Sequence, residues 1–318
     1  MHYPLAINII EAAERIKPYI NRTPILTSHL INELLDADIY FKCENMQKAG
    51  AFKSRGACNT VFSLADSELQ RGVATHSSGN HAAALARAAS LRGVKAYMVM
   101  PEDSSKVKVE AVKSYGGIIT FCIPTLEARE TTLQKVINDT NAIEIHPYNN
   151  YNIISGQATA AKELIEDVKD LDIIMAPVGG GGLLSGTALS THYFSPNTKV
   201  IAAEPEQADD AFQSFYQHKF IPSINPNTIA DGLRTSLGTL TYPIIRDHVH
   251  QIVTVSEDSI VKAMRLVWER MKIIIETSSA VTVAAIMENK FEHHNQKIGI
   301  IISGGNVDLD DLPWIISK

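Results

Sequence analysis

The sequence predicts an α/β fold of two interleaved lobes, each a mainly parallel, twisted sheet covered by helices. Short β-branched, apolar runs alternate with helical patterns through most of the chain, which is typical of parallel sheets with covered faces. The strand-like runs are almost continuously apolar, as doubly covered strands are. At 318 residues the chain exceeds a typical domain of about 100–200 residues. Because no low-complexity linker separates the lobes, we expect them to share chain segments and to bind a ligand between them.

The alternation predicts nine strands with helices between them. The strands are predicted at residues 39–43, 72–76, 94–100, 118–123, 142–146, 171–177, 199–204, 251–255 and 297–303. The clearest helical patterns cover residues 79–91, 126–139, 154–168 and 258–271. The proline-rich residues 221–226 are predicted to form a surface loop.

Composition excludes several classes of partner. The chain has 29 Lys and Arg against 35 Asp and Glu, a net charge of -6, whereas nucleic acid or an anionic membrane would favour a basic face. Cys43, Cys58 and Cys122 form no CxxC motif and leave one cysteine unpaired, which favours a reducing, cytoplasmic setting. No signal peptide is recognisable, and no apolar stretch reaches the roughly 18 residues of a membrane span. We therefore expect a soluble intracellular protein.

The most specific segment is QKAGAFKSRGA at residues 47–57, where Lys53 follows Phe52 at the start of a predicted helix. Burial and the positive end of the helix both disfavour an ammonium ion, so the pKa of Lys53 is expected to fall. A neutral amine is what an aldehyde needs to form a Schiff base. A lone lysine in a first helical turn is usually solvated, so this interpretation depends on the motifs that follow.

The segment THSSGNH at residues 75–81 joins a strand end to a helix start. The hydroxyls of Ser77 and Ser78 and the free backbone N–H groups there could bind an anion. Either serine could instead cap the helix without any further function.

Four consecutive glycines in PVGGGGLLSG, residues 177–186, lie between an apolar strand and a helix. Their successive N–H groups suit a phosphate dianion. A dinucleotide fingerprint is the alternative, but G-x-G-x-x-G fails because Ser185 takes the last position, although Glu204 ends the next strand where a ribose-binding acid would lie. The segment EPEQADD, residues 204–210, would by itself be a solvated acidic loop.

These motifs, with ISGGNVD at residues 302–308, resemble the serine racemase and serine/threonine dehydratase family of fold-type II pyridoxal 5′-phosphate (PLP) enzymes, which are tryptophan synthase β-like. The resemblance covers essentially the whole chain and includes residues 230–233 and 267–272. It implies a large, discontinuous PLP-binding domain, residues 1–70 plus 150–318, and a small domain, residues 71–149, inserted in it. It also implies a homodimer that acts on a small amino acid.

The resemblance assigns a role to each motif. Lys53 would carry PLP, Asn80 would bond to its 3′-oxygen, and Ser303 would bond to its pyridine nitrogen. The phosphate would be held by Gly179, Gly180, Gly181, Gly182 and Leu183. The substrate would be bound by Ser77, Ser78, Gly79 and Asn80. Ser78 would be the second catalytic base, on the face of Cα opposite Lys53.

The acidic segment matches the divalent-metal site of eukaryotic-type serine racemases. Its implied ligands are Glu204, Asp210 and the backbone carbonyl of Ala208. All three are hard oxygen donors, which suits Mg²⁺ or Ca²⁺.

Three departures from the family pattern concern other segments. Tyr148 replaces the Asn of mammalian-type racemases, and Thr277 replaces the usual Pro. Ala49 and Ala51 replace the Thr and Ser of mammalian-type racemases, which weakens the inference that an ATP effector site is present here.

Ser303 narrows the predicted reaction. Many PLP enzymes place an acid at the pyridine nitrogen and keep it protonated. A hydroxyl leaves a weaker electron sink, which favours β-elimination or reprotonation over transamination. We therefore expect dehydration of L-serine or L-threonine to a 2-oxo acid and ammonia, with serine racemisation at the same site. The alternatives are an enzyme that is primarily a racemase, a 3-hydroxyaspartate dehydratase, a non-catalytic PLP carrier and, more distantly, a dinucleotide-dependent oxidoreductase.

Overall fold

The computed structural model describes residues 3–77 and 79–315. The strands in this part of the chain are β1 Ile25–Leu26, β2 Asp38–Cys43, β3 Val73–His76, β4 Ala96–Pro101, β5 Ile118–Cys122, β6 Ile143–Glu144, β7 Ile173–Pro177, β8 Lys199–Pro205, β9 Gln251–Val255 and β10 Lys297–Ile302. They form a six-stranded sheet in the order β1-β2-β10-β7-β8-β9 and a four-stranded sheet in the order β5-β4-β3-β6. Pairing is parallel except between β1 and β2.

The predicted fold class is confirmed, and each of the nine predicted strands is present. The two-residue strand β1 was not predicted, because so short a run carries no periodicity. The strand predicted at residues 142–146 is reduced to β6. Ile145 still donates one backbone hydrogen bond to Ala74 (2.8 Å), and Pro147 then follows, which has no N–H with which to continue the sheet.

Helices cover both sheets. They are α1 Ala6–Ile16, α2 His29–Leu35, α3 Lys53–Ser63, α4 Asp66–Leu69, α5 Asn80–Leu91, α6 Lys106–Ser114, α7 Leu126–Thr140, α8 Tyr151–Asp167, α9 Gly182–Phe194, α10 Asp210–Tyr216, α11 Thr241–His248, α12 Glu257–Met271 and α13 Thr277–Met287. Helix α8 begins three residues before its predicted start, because the side chain of Asn150 caps it and accepts hydrogen bonds from the N–H groups of Asn152 (2.8 Å) and Ile153 (3.2 Å). No helix in residues 3–77 and 79–315 is long and apolar enough to cross a membrane.

Close helix packing fixes the start of α3. A Cβ atom on Gly156 of α8 would lie 2.6 Å from the Cα of Gly56 in α3, so neither position has room for a larger side chain. Arg55 to Val61 of α3 are buried. Helix α3 is thereby held against α8 with its first residue, Lys53, at the carboxyl edge of the six-stranded sheet, where α/β proteins bind ligands.

The carboxyl ends of four strands lead into the predicted motifs. Strand β3 precedes the 75–81 segment, β7 the glycines, β8 the acidic segment and β10 Ser303. The strands between residues 73 and 144 belong to the four-stranded sheet and the remaining strands to the six-stranded sheet. The domain boundaries themselves stay a prediction.

Candidate active site

Lys53 is a buried amine at the first position of α3. Its Nζ donates a hydrogen bond to the backbone carbonyl of Pro147 (2.9 Å). Burial lowers its pKa to about 8, against a smaller opposing effect of the Glu276 carboxylate. The N–H of Phe52 donates to the carbonyl of Ser303 (3.0 Å), so Lys53 and Ser303 are held in adjacent segments. The geometry suits a neutral nucleophilic amine.

A buried ionic network behind Lys53 was not predicted. The guanidinium of Arg55 contacts both oxygens of Glu44 (2.7 Å each) and Oε1 of Glu163 (2.8 Å). Lys42 reaches Oε2 of Glu163 (2.6 Å). These contacts tie α3 to β2 and α8, and removing one partner would leave a buried charge unpaired. The sequence carries one sign of this network, because charged residues such as Lys42 lie within apolar strand and helix patterns.

Asn80 starts α5, and its neighbours come from distant segments. Its side-chain amide donates to both oxygens of Glu276 (2.9 and 3.1 Å), and its carbonyl oxygen accepts from Asn306 (2.9 Å). Burial raises the pKa of Glu276 to about 7. The sequence interpretation missed Glu276. The N–H of Gly79 donates to the hydroxyl of Ser77 (3.3 Å), and Ser78 lies outside the described residues.

Ser303 follows β10 and is buried, with 3% of its surface exposed. Its hydroxyl pairs with the hydroxyl of Ser279 (2.9 Å), which also accepts a hydrogen bond from the N–H of Gly304 (2.8 Å). The N–H of Glu276 donates to the carbonyl of Gly304 (3.0 Å). Ser303 therefore lies next to the Asn80–Glu276 pair and presents a neutral hydroxyl.

The glycine segment lies between β7 and α9. Gly181 has a φ of 85°, a left-handed conformation that favours glycine. The hydroxyl of Thr241 donates to the carbonyl of Gly180 (2.8 Å). Because Gly182 and Leu183 begin α9, N–H groups of the first helical turn are left free by the helix, as at anion-binding helix starts.

Pro147 and Tyr148 form a link between this segment and Lys53. A Cβ atom on Gly180 would collide with the Tyr148 ring, and the phenol pairs with the hydroxyl of Thr235 (2.9 Å). Since Pro147 accepts the hydrogen bond of Lys53, one short loop contacts both the amine and the glycines. The Tyr that replaces the family Asn thus packs against the glycine backbone.

Glu204 is the second-last residue of β8 and Asp210 begins α10, and both are buried. The carboxylate of Glu204 accepts from the N–H groups of Ala211 (3.2 Å) and Phe212 (2.8 Å). Neither oxygen of Asp210 has a hydrogen-bond partner of good geometry, although Ser223 and the backbone of Leu237 lie close enough to oppose the effect of burial on its pKa. Burial raises the pKa of Asp210 to about 7. Burial, and then the charge of Asp210, raise that of Glu204 well above its usual range. Across residues 3–77 and 79–315, no three His, Cys, Asp or Glu side chains cluster as metal ligands, so any cation here would depend on two carboxylates and backbone oxygen such as that of Ala208.

Comparisons with known proteins agree with this architecture. Residues 16–304 match the family model described as pyridoxal-phosphate dependent enzyme. The chain is 50% identical to a β-hydroxyaspartate dehydratase of Paracoccus denitrificans, over 99% of this chain and 100% of that protein. It is 52% identical to a serine racemase of Dictyostelium discoideum, over 98% and 97% of the two chains. The crystal structure of a T.th. threonine deaminase superposes with a TM-score of 0.91 at 39% identity, covering 96% of this chain and 99% of that one.

Proposed function

The chain belongs to the pyridoxal-phosphate dependent enzyme family, and on that premise we propose that it dehydrates small β-hydroxy amino acids to a 2-oxo acid and ammonia and also racemises serine. The observation that carries the proposal is the buried amine of Lys53, with its pKa lowered to about 8, beside the glycine segment and Ser303. An oxidoreductase would leave this amine without a role.

The residues present fit the cofactor of the family. Lys53 would hold it, the glycine segment with Leu183 would bind its phosphate, and Asn80 and Ser303 would bind its ring oxygen and nitrogen. When bound, PLP supplies an electron sink for the bond-breaking steps at Cα. The neutral Ser303 hydroxyl keeps that sink modest, which supports elimination over transamination.

Within this site, the chain's own residues handle the carboxylate and the proton. Ser77 and the N–H groups at the start of α5 would bind the substrate carboxylate. The amine of Lys53, freed from its contact with Pro147, would take the proton from Cα as general base. Ser78 would hold a proton on the opposite face, which racemisation requires and dehydration of an L-amino acid does not.

The experiment that tests the proposal is a product assay of the purified, PLP-saturated protein with L-serine, L-threonine and 3-hydroxyaspartate. We expect ammonia and a 2-oxo acid in equal amounts from at least one of them, and D-serine from L-serine by chiral chromatography. The names of the Paracoccus and Dictyostelium relatives support testing both the hydroxyaspartate and the serine activity. A bound cofactor whose absorbance no amino acid alters, with no ammonia formed, would instead indicate a non-catalytic PLP carrier.

Cofactor attachment should depend on pH through the amine of Lys53. Since burial lowers its pKa to about 8, the amine is protonated below this pH and reactive above it. The rate at which PLP reattaches to the apoprotein should rise about tenfold between pH 7 and pH 9 and then level off, as followed by absorbance. Free lysine, whose side-chain pKa is near 10.4, is the control and should show no plateau in this range. A rate for the protein that keeps rising beyond pH 10 would contradict a lowered pKa.

A negative charge in the glycine segment should repel the cofactor phosphate. We expect Gly181→Asp to weaken PLP binding at least about tenfold more than Gly181→Asn, because only the aspartate adds like-charge repulsion at short range. Both variants place a similar side chain against Ile245, Leu237 and Thr241, so their difference isolates charge from shape. Equilibrium titration of the apoproteins measures it. Equal affinities of the two variants would mean that the phosphate binds elsewhere.

We further propose that Glu204, Asp210 and the carbonyl of Ala208 hold Mg²⁺ or Ca²⁺. The buried oxygens of Asp210, which have no hydrogen-bond partner of good geometry, lie beside a second buried carboxylate and fit a hard divalent cation, which would neutralise charges that burial disfavours. At about 100 times its Kd, the cation should add about 2.7 kcal/mol to the free energy of unfolding.

Denaturant unfolding with Ca²⁺ or with chelator tests the metal proposal. The isosteric double variant Glu204→Gln with Asp210→Asn should lose the stabilisation. Glu206→Gln, which changes an exposed carboxylate of the same segment, should keep it. If the parent protein unfolds identically with and without chelator, the segment is an acidic loop.

We also propose that the protein is a cytoplasmic homodimer with the predicted domain boundaries. Exposed apolar side chains on one face of α2, Leu30 (57%) and Leu34 (62%), support association, because positions four apart in a helix are neighbours. Analytical ultracentrifugation across concentrations would test this, and a monomer at every concentration would contradict it.

A further inference from the structure

One ion pair joins a helix of the four-stranded sheet to a turn that lies beside the glycine segment of the six-stranded sheet. Lys108 lies in α6, which packs on the four-stranded sheet, and its Nζ contacts the carboxylate of Asp231 in the 3₁₀ turn Asp231–Leu233. The side chain of Lys108 is 15% exposed and that of Asp231 41%. In the described residues, no other ion pair connects α5 to α7 with the segment from residue 150 onward. The resemblance of residues 230–233 to family segments assigns no role to Asp231.

At one end of this pair, Lys108 supports the predicted substrate-binding segment. A Cβ atom on Gly79 would lie 2.6 Å from Cδ and 3.0 Å from Cε of Lys108, so the lysine stem lies directly against the glycine backbone. Burial alone would lower the pKa of Lys108, but the charges of Asp231 and Glu276 raise it. The lysine therefore remains an ammonium ion beside Gly79.

At the other end, the turn that carries Asp231 is fixed to α13 and to the glycine segment. The N–H of Gly232 donates to the hydroxyl of Ser278 (3.0 Å) at the start of α13. A Cβ atom on Gly179 would lie 2.9 Å from the Cα of Leu233, so the turn touches the glycine segment. The ion pair thus spans from the glycines and α13 to the backbone of Gly79.

We propose that Lys108 and Asp231 form a latch that holds the four-stranded sheet and its helices closed over a bound amino acid and sets the distance between the carboxylate-binding segment and the glycine segment. Both are positioning residues. Lys108 acts through the backbone of Gly79, and Asp231 acts through the turn that contacts Gly179. Closure of this kind excludes water and aligns the reacting groups. A latch is expected to change substrate affinity more than cofactor affinity, since the cofactor's proposed ligands lie mainly on the six-stranded-sheet side. The inference rests on the proposed function, because it requires an amino acid in the cleft.

The test compares Lys108→Gln, Asp231→Asn and the double variant in the PLP-loaded protein. Glycine, which has no β-hydroxyl to eliminate, serves as the binding probe through its effect on cofactor absorbance. Each single variant should raise the Kd for glycine and the KM for L-serine about tenfold, which lies within the usual range of coupling between sites. PLP affinity should change much less. Because the two residues act as one unit, the double variant should be no worse than either single variant.

Controls separate a latch from general destabilisation. Lys113→Gln removes an exposed charge of the same helix and should leave the Kd for glycine unchanged, while Lys108→Arg should restore most of the affinity. If Lys108→Gln unfolds, Asp231→Asn must still raise the Kd for glycine, because it breaks the same ion pair from its more exposed side. An unchanged Kd in folded Lys108→Gln or in Asp231→Asn, or additive effects in the double variant, would overturn the latch. If glycine leaves the absorbance of the parent protein unaltered, the proposed function fails instead.

Discussion

Replacement of Lys53 by alanine should abolish turnover and the visible absorption band of the lysine-bound cofactor, while the fold survives. The variant removes both the covalent attachment point and the proposed general base. Loss of a general base alone costs about 10²–10⁴-fold, so activity should fall below detection in an ammonia assay. The fold should persist because the Arg55 network and the close contact of Gly56 with Gly156 hold α3 without the amine.

Lys48→Ala is the matched control for this experiment. Lys48 lies five residues earlier in the same motif but is exposed, so its loss should leave both the absorption band and the activity intact. Thermal unfolding of the two variants checks their folds. A Lys53→Ala protein that keeps the visible band and turns over L-serine would show that another residue carries the cofactor.

The strands could be predicted because burial on both faces imposes a local, continuous pattern. Strand β10 contains four isoleucines and Gly299, and residues 298 to 302 are all buried. Its boundaries were predicted to within one residue. Strand β1 has only two residues and depends on its partner β2, so no local signal marks it. The start of α8 depends on the capping side chain of Asn150, a contact that periodicity does not contain.

The candidate site likewise contains residues that could be predicted from the sequence and residues that could not. Lys53, the glycines and Ser303 each lie in one short motif at a strand or helix end, so the chain itself positions them. Glu276 could not be found from sequence, because it becomes informative only when Asn80, nearly two hundred residues earlier, donates to its carboxylate. The Lys108–Asp231 pair likewise joins segments 123 residues apart. Contacts between distant segments follow from the packed fold, and residue spacing does not reveal them.

Ser78→Ala should separate the two proposed activities. Racemisation needs a proton donor on the face of Cα opposite Lys53, whereas dehydration of L-serine needs only Lys53 and an acid for the leaving hydroxyl. The variant should therefore lose conversion of L-serine to D-serine and dehydration of D-serine by about 10²–10⁴-fold, the usual contribution of a general base. Much of the L-serine dehydration should remain. Chiral chromatography and an ammonia assay on both enantiomers measure these rates.

Ser77→Ala provides the comparison, because a residue that only binds the carboxylate should affect both enantiomers alike. Its loss removes one hydroxyl donor, which is worth about 0.5–1.5 kcal/mol, and should raise the KM for L- and D-serine by similar factors. Equal losses on the two enantiomers in Ser78→Ala would place Ser78 in the same category as Ser77 and leave the proton on the second face to another group. An enantiomer-selective loss in Ser78→Ala, beside a uniform loss in Ser77→Ala, follows only if the two adjacent hydroxyls act on different atoms of the substrate.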